Sequence, residues 1–125
     1  MANLNPKTIL IVDDEQPVRR LAQLILEAEG YLVYTAGTAS EALTIAGRLV
    51  CRLNLLITDM IMPDIDGHEL ILAIRQMCPF METMMISGAF TQNDARTKDY
   101  RILPKPFTKP QLVAAAKGIF DCQVF

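Results

Sequence analysis

An α/β domain built on a parallel sheet covered on both faces is the fold class this sequence predicts, and three observations predict it. Short apolar runs such as Ile9-Leu10-Ile11-Val12 and Leu55-Leu56-Ile57 lack the polar alternation of half-exposed strands, so they suit strands buried on both sides. Stretches with helical spacing separate these runs, which gives strand and helix in alternation and right-handed crossovers. The runs also end on polar side chains, Asp13-Asp14, Asp59 and Ser87, at the carboxyl ends where open α/β sheets bind ligands.

Taken in order, the first strand covers 9–12 and delivers Asp13-Asp14-Glu15. Val18, Leu21, Ile25 and Ala28 follow at helical spacing, and Gly30 supplies the stop. Residues 31–35 read as a second strand. Thr38-Ala39-Ser40-Glu41 then has the spacing of a capping box, opening a helix that carries Ala42, Leu43, Ile45, Ala46 and Leu49. The central strand, 55–59, ends on Asp59 and breaks into a Pro63-Asp64-Ile65-Asp66-Gly67 turn. A helix from about 67 to 77 presents Leu70, Ile71 and Ile74 inward and stops before Pro79, since the residue preceding a proline disfavours helix. Thr83-Met84-Met85-Ile86 is a fourth strand and runs into Ser87-Gly88. Between Ser87 and Ile102 the chain is mostly polar, with only Phe90, Ala95 and Tyr100 to bury, and one or two helical turns at most are expected there. Ile102-Leu103 is a brief last strand leading to Pro104-Lys105-Pro106-Phe107. Thr108 to Gln111 repeats the capping-box spacing for a final helix that buries Leu112, Val113, Ala116 and Ile119.

The 125 residues fit one domain, 1–125, with a core from about 8 to 121 that needs no disulfide or metal staple. A composition 51% hydrophobic and 21% charged excludes a disordered tail. A net charge of −2 offers no basic footprint, so direct nucleic-acid binding is not expected. Cys51, Cys78 and Cys122 are odd in number and widely spaced, which suggests neither a disulfide framework nor a zinc site. With a first apolar run far too short for a signal peptide or membrane span, a cytoplasmic protein with no membrane partner is expected.

Four strand ends therefore bring Asp13 and Asp14, Asp59, Ser87 and Lys105 to one rim. Crowded carboxylates repel one another and hold raised pKa values unless a cation joins them. Mg²⁺ suits such a rim, because it takes oxygen ligands from one or two carboxylates and leaves positions for water and phosphate oxygens. Each residue also has an ordinary reading: Asp13 as a helix cap, Ser87 as a strand-end hydroxyl, Lys105 as a solvated side chain. Glu15 reads as first-turn helix charge, the lone His68 as an exposed residue at a helix start, and Met60, Met62, Met84 and Met85 as packing.

Acidic pair, Asp-x-x-Met-Pro at 59–63 with Gly67 beyond, strand-end hydroxyl and Lys-Pro-Phe occur in one order, and that ordered set resembles the receiver domain of two-component response regulators. The resemblance runs from Ile9 to about Phe120. It implies a CheY-like, flavodoxin-type five-stranded sheet in the order 2-1-3-4-5. It also implies that Asp59 accepts a phosphoryl group from a sensor histidine kinase or histidine phosphotransfer protein, then switches conformation to regulate a downstream partner. Mg²⁺ would be bound by Asp14, Asp59 and the Ile61 backbone carbonyl, and by Asp13 through water. Lys105, at a Lys-Pro junction that is cis in the family, and Ser87 would contact phosphate oxygens, and the amides of Met60, Ile61 and Gly88 would complete the cradle. Such a domain is not a conventional enzyme, although it catalyses its own phosphorylation and slow dephosphorylation. By the same resemblance the exposed face of the first helix, with Arg19, Arg20 and Gln23, is a candidate kinase-docking face, and equally an ordinary solvated helix face.

Two features depart from the family pattern. Receivers carry Phe or Tyr three residues before the lysine, where this chain has Ile102, and the segment from Ser87 to Lys105 is short by about one helical turn, ~4 residues. A shortened or missing fourth helix is therefore expected, with a loop at 90–100 as the readout in place of the aromatic switch. Ile61 and Ala89 bring no polar group to position a water, so slow loss of phosphate is expected. Two rivals are weighed. A haloacid-dehalogenase-type phosphatase needs a general acid two residues after the nucleophile, where Ile61 cannot serve. A pseudo-receiver would bind proteins without phosphorylation.

Overall fold

Parity along each strand decides which layer of the core a residue joins, because successive side chains point to opposite faces. The structure, a computed structural model, describes residues 6–50, 52–88 and 100–121. Ile9 and Ile11 of β1 (Thr8–Val12), Leu55 and Ile57 of β3 (Leu55–Asp59), and Met84 and Ile86 of β4 (Glu82–Ser87) share one layer. That layer is closed by Ala22, Ile25 and Leu26 of α1 (Gln16–Ala28) and by Leu112, Ala116 and Ile119 of α4 (Lys109–Asp121). Leu10, Val12, Leu56 and Met85 face the other way. They pack on Ala42, Ala46 and Leu49 of α2 (Ala39–Leu49) and on Leu70, Ile71 and Ile74 of α3 (Gly67–Arg75). Each fully buried Leu or Ile contributes about 1.5–3 kcal/mol. The three central strands thus supply both halves of the core.

With β2 (Leu32–Ala36) and β5 (Arg101–Pro104) at the edges, the sheet is all parallel in the order β2-β1-β3-β4-β5, as the resemblance implies. Register sets the rim. Val12 lies beside Ala36 and Thr58, Asp59 beside Ile86, and Ser87 beside Pro104, so the residues that follow these strands emerge side by side.

Local signals hold with small shifts. Thr38 Oγ1 accepts from the Glu41 amide at 3.1 Å, and the second box closes both ways, Gln111 N–H to Thr108 Oγ1 and Thr108 N–H to Gln111 Oε1. Helix α1 starts at Gln16 with Pro17 in its first turn, where a missing N–H costs nothing. Strand β2 begins one residue later than the pattern suggests, because the Tyr31 amide is drawn back to the Leu26 carbonyl as α1 closes over Gly30, at φ +94°. Helix α3 ends at Arg75, two residues early, since the Met77 and Cys78 amides both turn onto the Ile74 carbonyl. Its first turn is capped by Asp66, whose Oδ1 accepts from Glu69 N–H at 2.9 Å. The short helix, the loop readout and Ala89 expected between Ser87 and Tyr100 fall on 89–99, outside the described residues, as do Cys51 and Cys122. No helix among the described residues is long and apolar enough to cross a membrane.

Candidate functional site

Asp59 ends β3, the middle strand, and is nearly buried with one edge open to the rim. Its two oxygens have different neighbours. Oδ1 accepts from the Ile61 amide at 3.2 Å, and Oδ2 meets Lys105 Nζ at 2.9 Å. Lys105 arrives from the end of β5 through a cis Lys105-Pro106 peptide, its own amide bound to the Ser87 carbonyl at 2.8 Å. The ammonium serves three carboxylates at once: Asp59, Asp13 Oδ2 at 3.0 Å and Glu15 Oε1 at 3.1 Å. Burial works against its charge, but hydrogen bonds to Asp59, Asp13 and Glu15 outweigh that and hold Lys105 well above the usual lysine value. Lys105 is therefore no solvated surface lysine. Glu15, read from sequence as helix charge alone, is its most exposed partner, and only the adjacency to Asp13-Asp14 could have flagged it.

Asp13 is fully buried. Its Oδ1 accepts from the Glu15 amide at 2.9 Å, so it does not cap α1, where Glu15 takes the N-cap position. Among the described residues its Oδ2 has no well-formed hydrogen bond, and the Lys105 ammonium faces it. Burial raises the Asp13 pKa, helped by the nearby Asp59 charge, against the lowering pull of the Glu15 amide and Lys105. Asp14 is exposed at the mouth. Asp13, Asp14 and Asp59 can each turn one oxygen to within 4.8 Å of the others. Three hard oxygen donors, one of them a buried oxygen lacking a hydrogen bond, make a donor set that fits a divalent cation of the Mg²⁺ type.

The hydroxyl and amide groups expected around Asp59 divide. Ser87 is buried at the end of β4 and its Oγ donates to the Gly88 carbonyl at 3.1 Å. Ile61 N–H already points at Asp59. Met60 N–H donates to the Ile86 carbonyl at 3.1 Å and extends the β3–β4 ladder by one rung. Ile102 pairs with Met85 and packs, half-buried, on the α2–α3 layer beside Tyr100. There Tyr100 meets His68: the hydroxyl lies 2.7 Å from Nδ1, with the rings edge to face at 5.6 Å. The sequence places His68 at an exposed helix start; the structure gives it a partner 32 residues away and half buries it.

Two further residues shape the loop after Asp59. Asp64 Oδ2 accepts from the Ala39 and Ser40 amides, at 3.0 and 3.3 Å, and so reaches across to the first turn of α2. Gly67 donates its N–H to the Met60 carbonyl at 2.7 Å. A Cβ at that position would collide with the Asp59 carbonyl oxygen, which explains the glycine. Beside the site, Glu15, Val18, Leu21, Lys105, Pro106 and Phe107 line an open recess of about 350 Å³.

Comparison with known proteins agrees with this geometry. The family model of the response regulator receiver domain matches residues 9–117. The sensor kinase CckA of Brucella abortus is 32% identical over 120 residues, which is 93% of this chain and 13% of that protein. The transcriptional regulatory protein ResD of Bacillus subtilis is 33% identical over 124 residues, 95% of this chain and 50% of its own. The chain thus spans half or less of these two relatives. A response regulator receiver domain protein from Clostridium thermocellum superposes with a TM-score of 0.83 at 27% identity, covering 94% of this chain and 96% of the other.

Proposed function

Because the chain belongs to the response regulator receiver domain family of two-component systems, we propose that it is a phosphoacceptor whose reactive group is the Asp59 carboxylate. The observation that carries this reading is the pairing of Asp59 with the Lys105 ammonium at 2.9 Å, inside a cluster with Asp13 and Asp14. An Asp59 oxygen attacks the phosphorus of a phosphohistidine on a partner kinase or phosphotransfer protein. The new O–P bond forms as the P–N bond breaks, and the electron pair stays on the departing imidazole nitrogen. A carboxylate nucleophile giving an aspartyl phosphate is a recognised form of covalent catalysis.

Phosphoryl transfer asks chiefly for positioning and charge neutralisation. Lys105 leaves Asp59 for a phosphate oxygen, and Ser87 turns its hydroxyl from the Gly88 carbonyl to another. Ile61 and Gly88 amides complete the cradle, while Met60 contributes its amide only if it leaves Ile86. Asp14, Asp59, the Ile61 carbonyl and, through water, Asp13 would hold Mg²⁺, which when bound neutralises charge on the phosphoryl oxygens. The apolar recess edged by Lys105 lies beside the site and offers the donor protein a surface to rest on. Ile61, with an exposed side chain and no polar atom beyond its backbone, leaves an attacking water unassisted, which favours a long-lived phosphoryl group.

Intact mass after incubation with Mg²⁺ and phosphoramidate tests the proposal. One phosphoryl adduct is expected, absent in Asp59→Ala and absent when the metal is chelated. No adduct, under conditions that modify another receiver, would instead favour a pseudo-receiver that binds its partner without phosphate.

A further inference from the structure

Arg19 lines a surface recess with Arg20 and Gln23 and also reaches inward. Its side chain is half-buried, and Nη1 donates to the Asp13 carbonyl oxygen at 2.8 Å. To get there the guanidinium crosses the chain at Gly37, just after β2. A Cβ at Gly37 would stand 2.8 Å from Nη1, so the guanidinium would have to shift to admit it. Gly30 has the positive φ that calls for glycine, whereas Gly37 does not. The space left beside Gly37 is where the Arg19 guanidinium lies.

The Asp13 backbone is held at every polar atom: N–H on the Ala36 carbonyl at 3.2 Å, C=O by Arg19, while Oδ1 receives the Glu15 amide. The carbonyl that Arg19 grips belongs to the Asp13–Asp14 peptide. That peptide is planar, so fixing its oxygen fixes the direction in which the chain presents Asp14 relative to Asp13. We propose that Arg19 is a positioning residue for the divalent-cation site, setting the spacing of two of its three carboxylates, and that Gly37 is the slot through which it works. This rests on the reading of Asp13, Asp14 and Asp59 as a cation site.

Two opposed effects make the proposal decidable. A guanidinium near the site repels a cation, so if charge were its main influence, removing it would tighten Mg²⁺ binding. If position is its main influence, removal loosens binding; losing a group that orients metal ligands costs roughly 10- to 100-fold in affinity. Arg19→Met removes the donor and keeps an apolar stem, and Gly37→Ala displaces the guanidinium without altering it. Calorimetric titration with Mg²⁺ alone, well below the melting temperature, should show about tenfold weaker binding in each variant and little further loss in the double variant, since both act through one contact. In the metal-free protein, hydrogen exchange at the Glu15 amide should accelerate in both. Unchanged or tighter Mg²⁺ binding in Arg19→Met overturns the proposal, and additive losses in the double variant overturn the slot. A wild type that binds no Mg²⁺ would count against the cation site itself, and unaltered Glu15 exchange would then dispose of Arg19's hold on the turn.

Discussion

Asp13 shows what burying a single carboxylate costs a fold. Its buried Oδ2 has a cation in front of it and no hydrogen bond of good geometry, and burial raises its pKa. The folded protein therefore holds the Asp13 proton more tightly than the unfolded chain does. Where the folded state binds more protons, stability falls as pH rises, so metal-free protein should weaken from the ordinary carboxylate pKa, about 3.9, up through the raised folded value. Asp13→Asn removes the buried charge and leaves Lys105 with Asp59 and Glu15. Urea unfolding of the metal-free variant near neutral pH should show a gain of about 1–3 kcal/mol over wild type, the scale on which burying a polar group without a well-formed hydrogen bond is costly. It should also show a flatter acid limb. Lys105 has the same sign at the other end of the pH scale. Its raised pKa means a contribution fully present below the ordinary lysine value, about 10.4, and lost as pH climbs through the folded one. An alkaline fall in stability, partly removed by Lys105→Met, is the expected record in a pH series of melting curves.

Among the elements, the β3–α3 connection carries the tightest constraint. Gly67 opens α3 while its backbone lies against the Asp59 carbonyl, so Gly67→Ala must push apart the strand end and the helix start. A loss of about 1–3 kcal/mol is expected, as for other overpacked sites. Slower phosphorylation by phosphoramidate should accompany it, because the displaced carbonyl is that of Asp59, the residue proposed as acceptor. The elements were legible in the sequence because their signals are local. Strand runs, the Thr38 and Thr108 boxes and the Gly30 stop each act within a few residues, and the boundaries that moved did so where a closing turn drew in a neighbouring amide, as at Tyr31 and Met77. The acidic rim was legible because parallel strands deliver their last residues to one edge. What stayed hidden joins distant residues. Glu15 and Lys105 are 90 residues apart, His68 and Tyr100 are 32, and Asp64 and Ala39 are 25. Arg19 is nearer in sequence, but its inward turn depends on the room left at Gly37, which no spacing rule records.

On the scale of the whole molecule, the two core layers lie on opposite faces of the sheet, and the rim residues tie elements of both together. Lys105 connects β5 to the ends of β1 and β3 and to the start of α1, while Asp64 connects the far side of the same rim to α2. Loops ordinarily absorb insertions and deletions because little depends on their length. The seven residues from Met60 to Asp66 have no such freedom. Within them, the Ile61 amide must face Asp59, the Asp64 carboxylate must meet α2, and Asp66 must cap α3. Adding or removing one residue would break at least one of these appointments, so in natural or laboratory variation this loop should vary in side chains while its length stays fixed.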